Sequence, residues 1–154
     1  MNIFLLPTQD GEHVSGAKIP AIQIIENRVK QRKWPLYERT RNRKAMTQGD
    51  ILLFYVAGNK LNSGHIIGQA KIENISQNLR NAVFIDGEDI LNGSASSIIE
   101  MSEFKSFRKL VHLKSILKNL DCCPKSMSKW GVILYGGARK ITERDYTTIC
   151  VESR

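Results

Sequence analysis

The chain has 154 residues and a net charge of +8, with 42% hydrophobic and 25% charged residues. These are values of an ordinary globular protein, which argue against a disordered chain, and no apolar run approaches the roughly 20 residues that span a bilayer. The chain is also too short for two domains of comfortable size, so residues 1–154 are interpreted as a single domain.

The first half of the chain predicts two strands, two helices and a hairpin partner. Residues 2–7, NIFLLP, are typical of a strand, and apolar residues at helical spacing predict a helix from residue 20 to about residue 32. Residues 39–47 are expected to form a short helix. The run DILLFYVAG, residues 50–58, predicts a strand buried on both faces, and HIIGQAKI, residues 65–72, alternates like a half-buried partner strand.

In the second half of the chain, the patterns that predict secondary structure are weak at first and clear toward the C-terminal end. Residues 76–95 are interpreted as a long loop with a short strand, and residues 96–104 as a strand that the following FRKLVHL either continues or leaves at a corner. Residues 113–120 predict a short helix, residues 129–137 a last strand, and Thr142 the N-cap of a final helix.

Two single residues carry local predictions. Gly68 stands on the apolar side of its strand, which indicates close approach of a neighbouring backbone or tight curvature. Asp145 follows Thr142 by three residues, the position of a capping box. Together the elements predict an α+β domain built around a curved sheet or small barrel.

Cysteine and histidine usage indicates a reducing compartment and no metal site. The three cysteines are odd in number and lack CxxC spacing, and the three histidines form no HxxxH pattern. A structural zinc site or another cofactor is therefore not predicted. The N-terminal MNIFLLPTQDGE lacks the basic region of a signal peptide, so a cytoplasmic protein is expected.

The positive charge is concentrated in one segment. Between Arg28 and Lys44, eight lysines and arginines stand against one acid, so this segment alone has a net charge of +7. Trp34 and Tyr37 lie among these cations. The pattern predicts an anionic partner, nucleic acid before membrane, because Pro35 and its polar neighbours break the apolar face that a membrane-surface helix needs.

The order of four motifs resembles the EVE domain, the prokaryotic branch of the PUA-like superfamily, which also contains the YTH domains. The motifs are a Trp after a polar loop, QGDILLFYVAG, GHIIGQAKI and KWGVILYGGARKITERDYTTI, and the similarity runs over residues 2–151. The resemblance implies a PUA-like small β-barrel or strongly curved mixed sheet flanked by helices, without catalytic machinery. It also implies binding of nucleic acid whose modified base, methylated cytosine or adenine, is flipped into an aromatic pocket.

The resemblance also implies which residues form that pocket. Trp34 corresponds to one aromatic wall of the YTH pocket. The loop that carries the second Trp in YTH domains has only Phe84 here, and Trp130 is the other tryptophan of the chain. The full set of candidate pocket residues is Trp34, Tyr37, Thr8, Tyr55, Phe84 and Trp130. The candidates for holding the phosphate backbone are Lys33, Arg39, Arg41, Arg43 and Lys44.

Other interpretations stay open at this point. Trp34 is also compatible with a position that caps the hydrophobic core, and for Tyr55 and Trp130 a position in the core is the favoured interpretation. The function could be that of a PUA-like RNA-binding accessory protein without modified-base selectivity, or of a module that binds an acidic protein partner. An enzyme such as a nuclease is less favoured, because no GxSxG, GxxxxGK[ST], HExxH or GxGxxG motif occurs. The resemblance also allows a restriction or RNA-modification protein as partner.

Overall fold

A computed structural model of the chain describes residues 1–13, 15–77 and 95–154, in which one mixed sheet of seven strands is flanked by helices. In chain order the strands are β1 (Ile3–Thr8), β2 (Gly11–Glu12), β3 (Lys18–Ile19), β4 (Lys33–Leu36), β5 (Ile51–Val56), β6 (His65–Ser76), β7 (Ser97–Met101), β8 (Lys105–His112) and β9 (Arg139–Ile141). The α-helices are α1 (Ala21–Gln31), α2 (Leu113–Ile116) and α3 (Glu143–Glu152), and 3-10 turns cover Arg43–Ala45, Leu117–Asn119 and Met127–Leu134. No helix in these ranges is both long and apolar enough to cross a membrane.

The sheet is curved and open. Its order is β4-β7-β6-β5-β1-β9, with β8 also paired to β6, while β2 and β3 form a separate ribbon. Strand β1 runs parallel to β5 and antiparallel to β9. The long strand β6 shifts register against each of its three neighbours, and such irregularities bend and twist a sheet. The predicted α+β domain built around a curved sheet is confirmed, and among the described residues the sheet does not close into a barrel.

Alternation along the two central strands divides the core into two layers. Phe4, Leu6 and Phe54 face α1 and β4, whereas Ile3 and Leu5 belong to a second cluster with α2, α3 and the turn at residues 127–134. Both faces of β1 and β5 are therefore covered by other elements, which is why these strands read as continuous apolar runs. The burial of β5 on both faces, predicted from DILLFYVAG, is confirmed.

Gly68 of β6 lies close to the beginning of β8, with which β6 is paired. A Cβ atom at this position would lie 2.5 Å from the carbonyl oxygen of Lys105 and would also overlap the ring of Phe104. The predicted close backbone approach is confirmed. Its cause is the corner at residues 102–104, where the chain leaves β7 and enters β8, so the second of the two alternatives for FRKLVHL is correct.

The prediction of a last strand at residues 129–137 is wrong. Residues 127–134 form a 3-10 turn instead, and the strand that follows it is β9 at Arg139–Ile141. The turn directs Trp130, Ile133 and Leu134 onto the second core cluster. Packing of this apolar side thus overrides the strand propensity of GVILY, and β9 takes the edge of β1.

The helix expected over residues 39–47 shortens to the 3-10 turn Arg43–Ala45. Asn42 has φ +63°, a left-handed conformation that interrupts a right-handed helix. The predicted N-terminal helix is confirmed as α1, but its buried face is rotated from the one predicted by the spacing of Ile22, Ile25 and Val29, of which only Ile25 is fully buried. The buried residues are Ala21, Ile24, Ile25 and Arg28.

The final helix begins as predicted, with one difference. The hydroxyl of Thr142 accepts a hydrogen bond from the amide of Asp145 at 3.1 Å. The Asp145 carboxylate, however, turns into the core and accepts from the amides of Asp121, at 2.5 Å, and Cys122, at 3.1 Å. Asp145 is therefore a fully buried link between α3 and the chain segment that follows α2.

Candidate nucleic-acid interface

A cleft of about 730 Å³ opens at the carboxyl end of β1. It is lined by residues 7–10, by Ile24 and Arg28 of α1, and by Trp34 and Pro35 of β4. The lining also includes the loop that carries Tyr37, Arg39 and Thr40 and residues 134–137. The cleft has the size of ordinary small-ligand sites, roughly 300–1,000 Å³, so it is large enough for one nucleobase.

The two loops that close the cleft are tied to each other. The Arg41 amide donates to the carbonyl oxygen of Gly136 at 2.7 Å, and the Asn42 side chain donates to the carbonyl oxygen of Ala138 at 3.1 Å. Gly136 has φ +87°, and a Cβ atom there would lie 3.0 Å from the Cβ atom of Arg41. The paired glycines Gly136 and Gly137 therefore allow this turn to approach the basic loop closely.

Trp34 forms part of the cleft wall but is only 5% exposed. Its ring centroid lies 5.0 Å from that of Phe54, and the Cζ atom of Arg28 lies over the ring at 4.8 Å. Strand β4 holds the residue opposite Ile99 of β7. Trp34 thus contributes to the core and to the cleft at the same time.

Thr8 lines the cleft, and its hydroxyl group is buried. It is the last residue of β1 and only 7% exposed, and its Oγ1 has no hydrogen-bond partner among the described residues. A buried hydroxyl without a partner costs free energy that a bound polar group recovers. The neighbouring Asp10 accepts from the amide of Ala21 at 2.9 Å, which fixes the start of α1 beside the cleft.

The remaining predicted pocket residues separate into three cases. Tyr37 lines the cleft. Tyr55 lies in the second core cluster and Trp130 packs against it, on the other side of the sheet, because Tyr55 alternates with the cleft-side Phe54 and Trp130 lies in the 3-10 turn at residues 127–134. Both belong to the core, the alternative that the sequence left open, and burial raises the pKa of Tyr55. Phe84 lies outside the described residues.

Among the predicted phosphate-binding residues, Arg39 is the one that lines the cleft, and it is exposed. Arg41 and Lys44 are also exposed on the same loop, with Arg41 against Gly136 at the rim. Arg43 is half-buried, and its Nε donates to the carbonyl oxygen of Glu38 at 2.9 Å. Lys33 is half-buried at the first position of β4. Of these residues, Arg39 thus lines the cleft and Arg41 lies next to the lining residue Gly136.

Two cleft residues were missed in the sequence. Arg28 follows Ala21 by seven residues on the buried face of α1, and a cation at that spacing on an apolar face was the available signal. Tyr135 is 71% exposed and lies at the cleft before the two glycines. An exposed large aromatic side chain next to a glycine turn is typical of binding surfaces.

The described residues offer few groups for other chemistry. Within residues 1–13, 15–77 and 95–154, no group of three or more His, Cys, Asp or Glu side chains is placed to hold a metal ion. Burial raises the pKa of the Cys122 thiol to about 12, which keeps it protonated at neutral pH. The cleft is lined by residues with an aromatic ring, a buried hydroxyl group and cations, and such groups are suited to binding a ligand.

Comparison with known proteins finds solved structures with a similar fold. No protein-family model and no curated protein matches the chain. Human THYN1, solved in complex with 5-methylcytosine-containing DNA, has a similar structure, with a TM-score of 0.62 and 12% identity over 100% of this chain and 98% of THYN1. The protein Atu2648 from Agrobacterium tumefaciens gives a TM-score of 0.56 and 16% identity over 99% of this chain and 93% of that protein.

A third similar structure is the YTH domain of the Zygosaccharomyces rouxii MRB1 protein, solved in complex with N6-methyladenosine RNA. Its TM-score is 0.60, with 12% identity over 99% of this chain and 86% of that domain. At such low identities a structural match shows a common fold and leaves function to be argued from the site. The chain therefore has the PUA-like fold that EVE and YTH domains share, as the order of its sequence motifs predicted.

Proposed function

We propose that this protein is a nucleic-acid-binding module that reads a modified base, flipped out of its strand into the cleft beside Trp34. The observation that carries the proposal is the cleft itself, in which a Trp, a partnerless buried hydroxyl of Thr8 and the exposed Arg39 meet. The proposal gains support from THYN1 and the MRB1 YTH domain, two proteins of this fold that were solved with methylated nucleic acid. No catalytic step is assigned to the cleft.

The energetics of such a site set its expected selectivity. Stacking of a base in an aromatic site contributes roughly 1–3 kcal/mol, and desolvation of one methyl group about 0.8 kcal/mol. A well-fitted methyl pocket therefore discriminates by roughly tenfold to a hundredfold. Flipping a base costs a few kcal/mol, which contacts between the cations at the rim and the phosphate backbone must offset.

One observation favours a second candidate, an RNA-binding accessory module without modified-base selectivity. Trp34 is only 5% exposed, as expected for an indole that caps the core. In that case the exposed cations Arg39, Arg41 and Lys44 would bind backbone, and RNA would be recognised by shape and 2′-hydroxyl groups. A partner protein of a restriction or RNA-modification system is compatible with both candidates.

The experiment that separates the candidates measures binding to short fluorescent oligonucleotides at about 150 mM salt, where screening limits the effect of surface charge. The set contains unmodified sequence, N6-methyladenine, 5-methylcytosine and 5-hydroxymethylcytosine, each as DNA and as RNA. We expect a preference of about tenfold or more for one modified base. Equal, weak binding to every oligonucleotide would contradict modified-base reading, and equal binding restricted to RNA would favour the second candidate.

Tyr135 allows a test that does not disturb the core. Because the side chain is 71% exposed, Tyr135→Ala should leave the melting temperature nearly unchanged. If the ring stacks on a base at the cleft, the affinity for the preferred oligonucleotide falls roughly fivefold to a hundredfold in a fluorescence anisotropy titration. Tyr135→Phe, which keeps the ring, is the control and should bind like the wild type. Unchanged binding of the alanine variant would exclude Tyr135 from the interface.

A further inference from the structure

Arg28 is a charged residue in an unusual place. It is 4% exposed, on the same face of α1 as Ile24 and Ile25, yet it lines the cleft. Arginine is rarely buried to this extent, because desolvation of a charge is expensive. Its place on an apolar helix face puts the guanidinium group at the wall of the cleft, next to Trp34.

The surrounding backbone holds Arg28 against Trp34. The left-handed residue Arg32 caps α1 with its amide directed at the carbonyl oxygens of Arg28 and Val29. The chain then turns directly into β4, whose second residue is Trp34. This short connection brings the strand back beside the last helical turn, and the Cζ atom of Arg28 comes to lie 4.8 Å from the centroid of the Trp34 ring.

The contact between Arg28 and Trp34 determines which groups a base would meet in the cleft. Arg28 lies over the indole, Phe54 packs against it with a centroid separation of 5.0 Å, and 5% of Trp34 is exposed. A base in the cleft therefore meets the guanidinium and the indole as neighbouring parts of one wall. A guanidinium is planar, stacks on aromatic rings and carries five N–H donors.

We infer that Arg28 is a base-contacting, specificity-determining residue: its guanidinium, held on Trp34, stacks on the flipped base or donates to acceptor atoms at the base edge. The inference rests on the proposed function and adds a residue to it. Bases stack on arginine planes in single-stranded nucleic-acid recognition, and an arginine that bonds a base edge carries sequence information that a phosphate contact does not. Trp34 then acts chiefly as the surface that orients Arg28.

The test compares Arg28→Met with Arg39→Gln in the oligonucleotide set, with each measured over a range of salt concentrations. Arg28→Met keeps an apolar chain of similar length. We expect it to lower the affinity for the preferred modified oligonucleotide about fivefold to a hundredfold and to reduce the preference over the unmodified one. Because the lost contact is to a base, the slope of log K against log salt should stay unchanged. Arg39→Gln should weaken all oligonucleotides equally and reduce the slope by about 1.

Arg28→Lys is the second variant, chosen in case the methionine variant does not fold. It retains the charge but lacks the planar fork, so the preference should fall here as well. Melting curves establish that each variant is folded. Tighter binding by Arg28→Met, unchanged selectivity in a folded variant, or an equal loss on all oligonucleotides with a reduced slope would each overturn the inference. A wild-type protein without any modified-base preference would overturn the proposed function and this inference together, whereas the other outcomes leave the proposed function intact.

Discussion

Trp34→Ala is expected to remove the preference for a modified base and to lower the stability of the fold. The residue is 5% exposed and packs against Phe54, and truncation of such a buried aromatic side chain costs about 3–5 kcal/mol. The same change removes the surface on which Arg28 lies at the cleft. Thermal melting and the oligonucleotide titrations together should therefore show a lower melting temperature and a selectivity close to 1.

Because the alanine variant combines both effects, Trp34→Leu is the informative companion. Leucine retains part of the apolar volume, so the fold should survive, but it offers no ring to the cleft or to Arg28. We expect this variant to be folded and non-selective. The matched control is Trp130→Phe on the other side of the sheet, which should bind like the wild type. If a folded Trp34→Leu protein kept full selectivity, residues other than Trp34 would have to recognise the modified base.

Asp145→Asn is expected to destabilise the domain without any direct effect on the cleft. The carboxylate is fully buried and accepts from the amides of Asp121 and Cys122. An asparagine amide retains one acceptor oxygen and turns its NH₂ group toward the second amide, leaving a buried donor unsatisfied. We expect a loss of about 2–4 kcal/mol in the free energy of unfolding, measured by urea denaturation.

Glu143→Gln is the control for charge in the first turn of α3. This side chain is exposed, so its replacement removes only the favourable interaction with the helix dipole, roughly 0.3–1 kcal/mol. Near-equal effects of the two substitutions would show that the buried hydrogen bonds of Asp145 contribute little. Asp145→Asn protein that remains folded should keep the base preference of the wild type, because Asp145 does not line the cleft.

Local patterns in the sequence determined a substantial part of this protein. The burial of β5, the existence of helix α1 and the N-cap Thr142 follow from neighbouring residues, and each is confirmed. The concentration of cations between residues 28 and 44 is likewise visible in the chain itself. The order of the motifs resembles that of EVE domains, and this resemblance predicted the PUA-like fold.

Other features were decided only when the chain was folded. Trp130 lies in a 3-10 turn because the second core cluster accepts its apolar side, and Asp145 turns inward because two amides from a distant segment meet it there. Neither partner is local in sequence, so no spacing rule indicated these contacts.

The cleft depends on tertiary structure in the same way. Arg28 and Trp34 are close in sequence, but the stacking of one on the other follows from the turn between α1 and β4, and Tyr135 joins them from more than a hundred residues away. Sequence alone determined the elements and the charge of this protein. Tertiary structure decided which side chains meet, because strand pairing and packing select among contacts that local periodicity leaves equivalent.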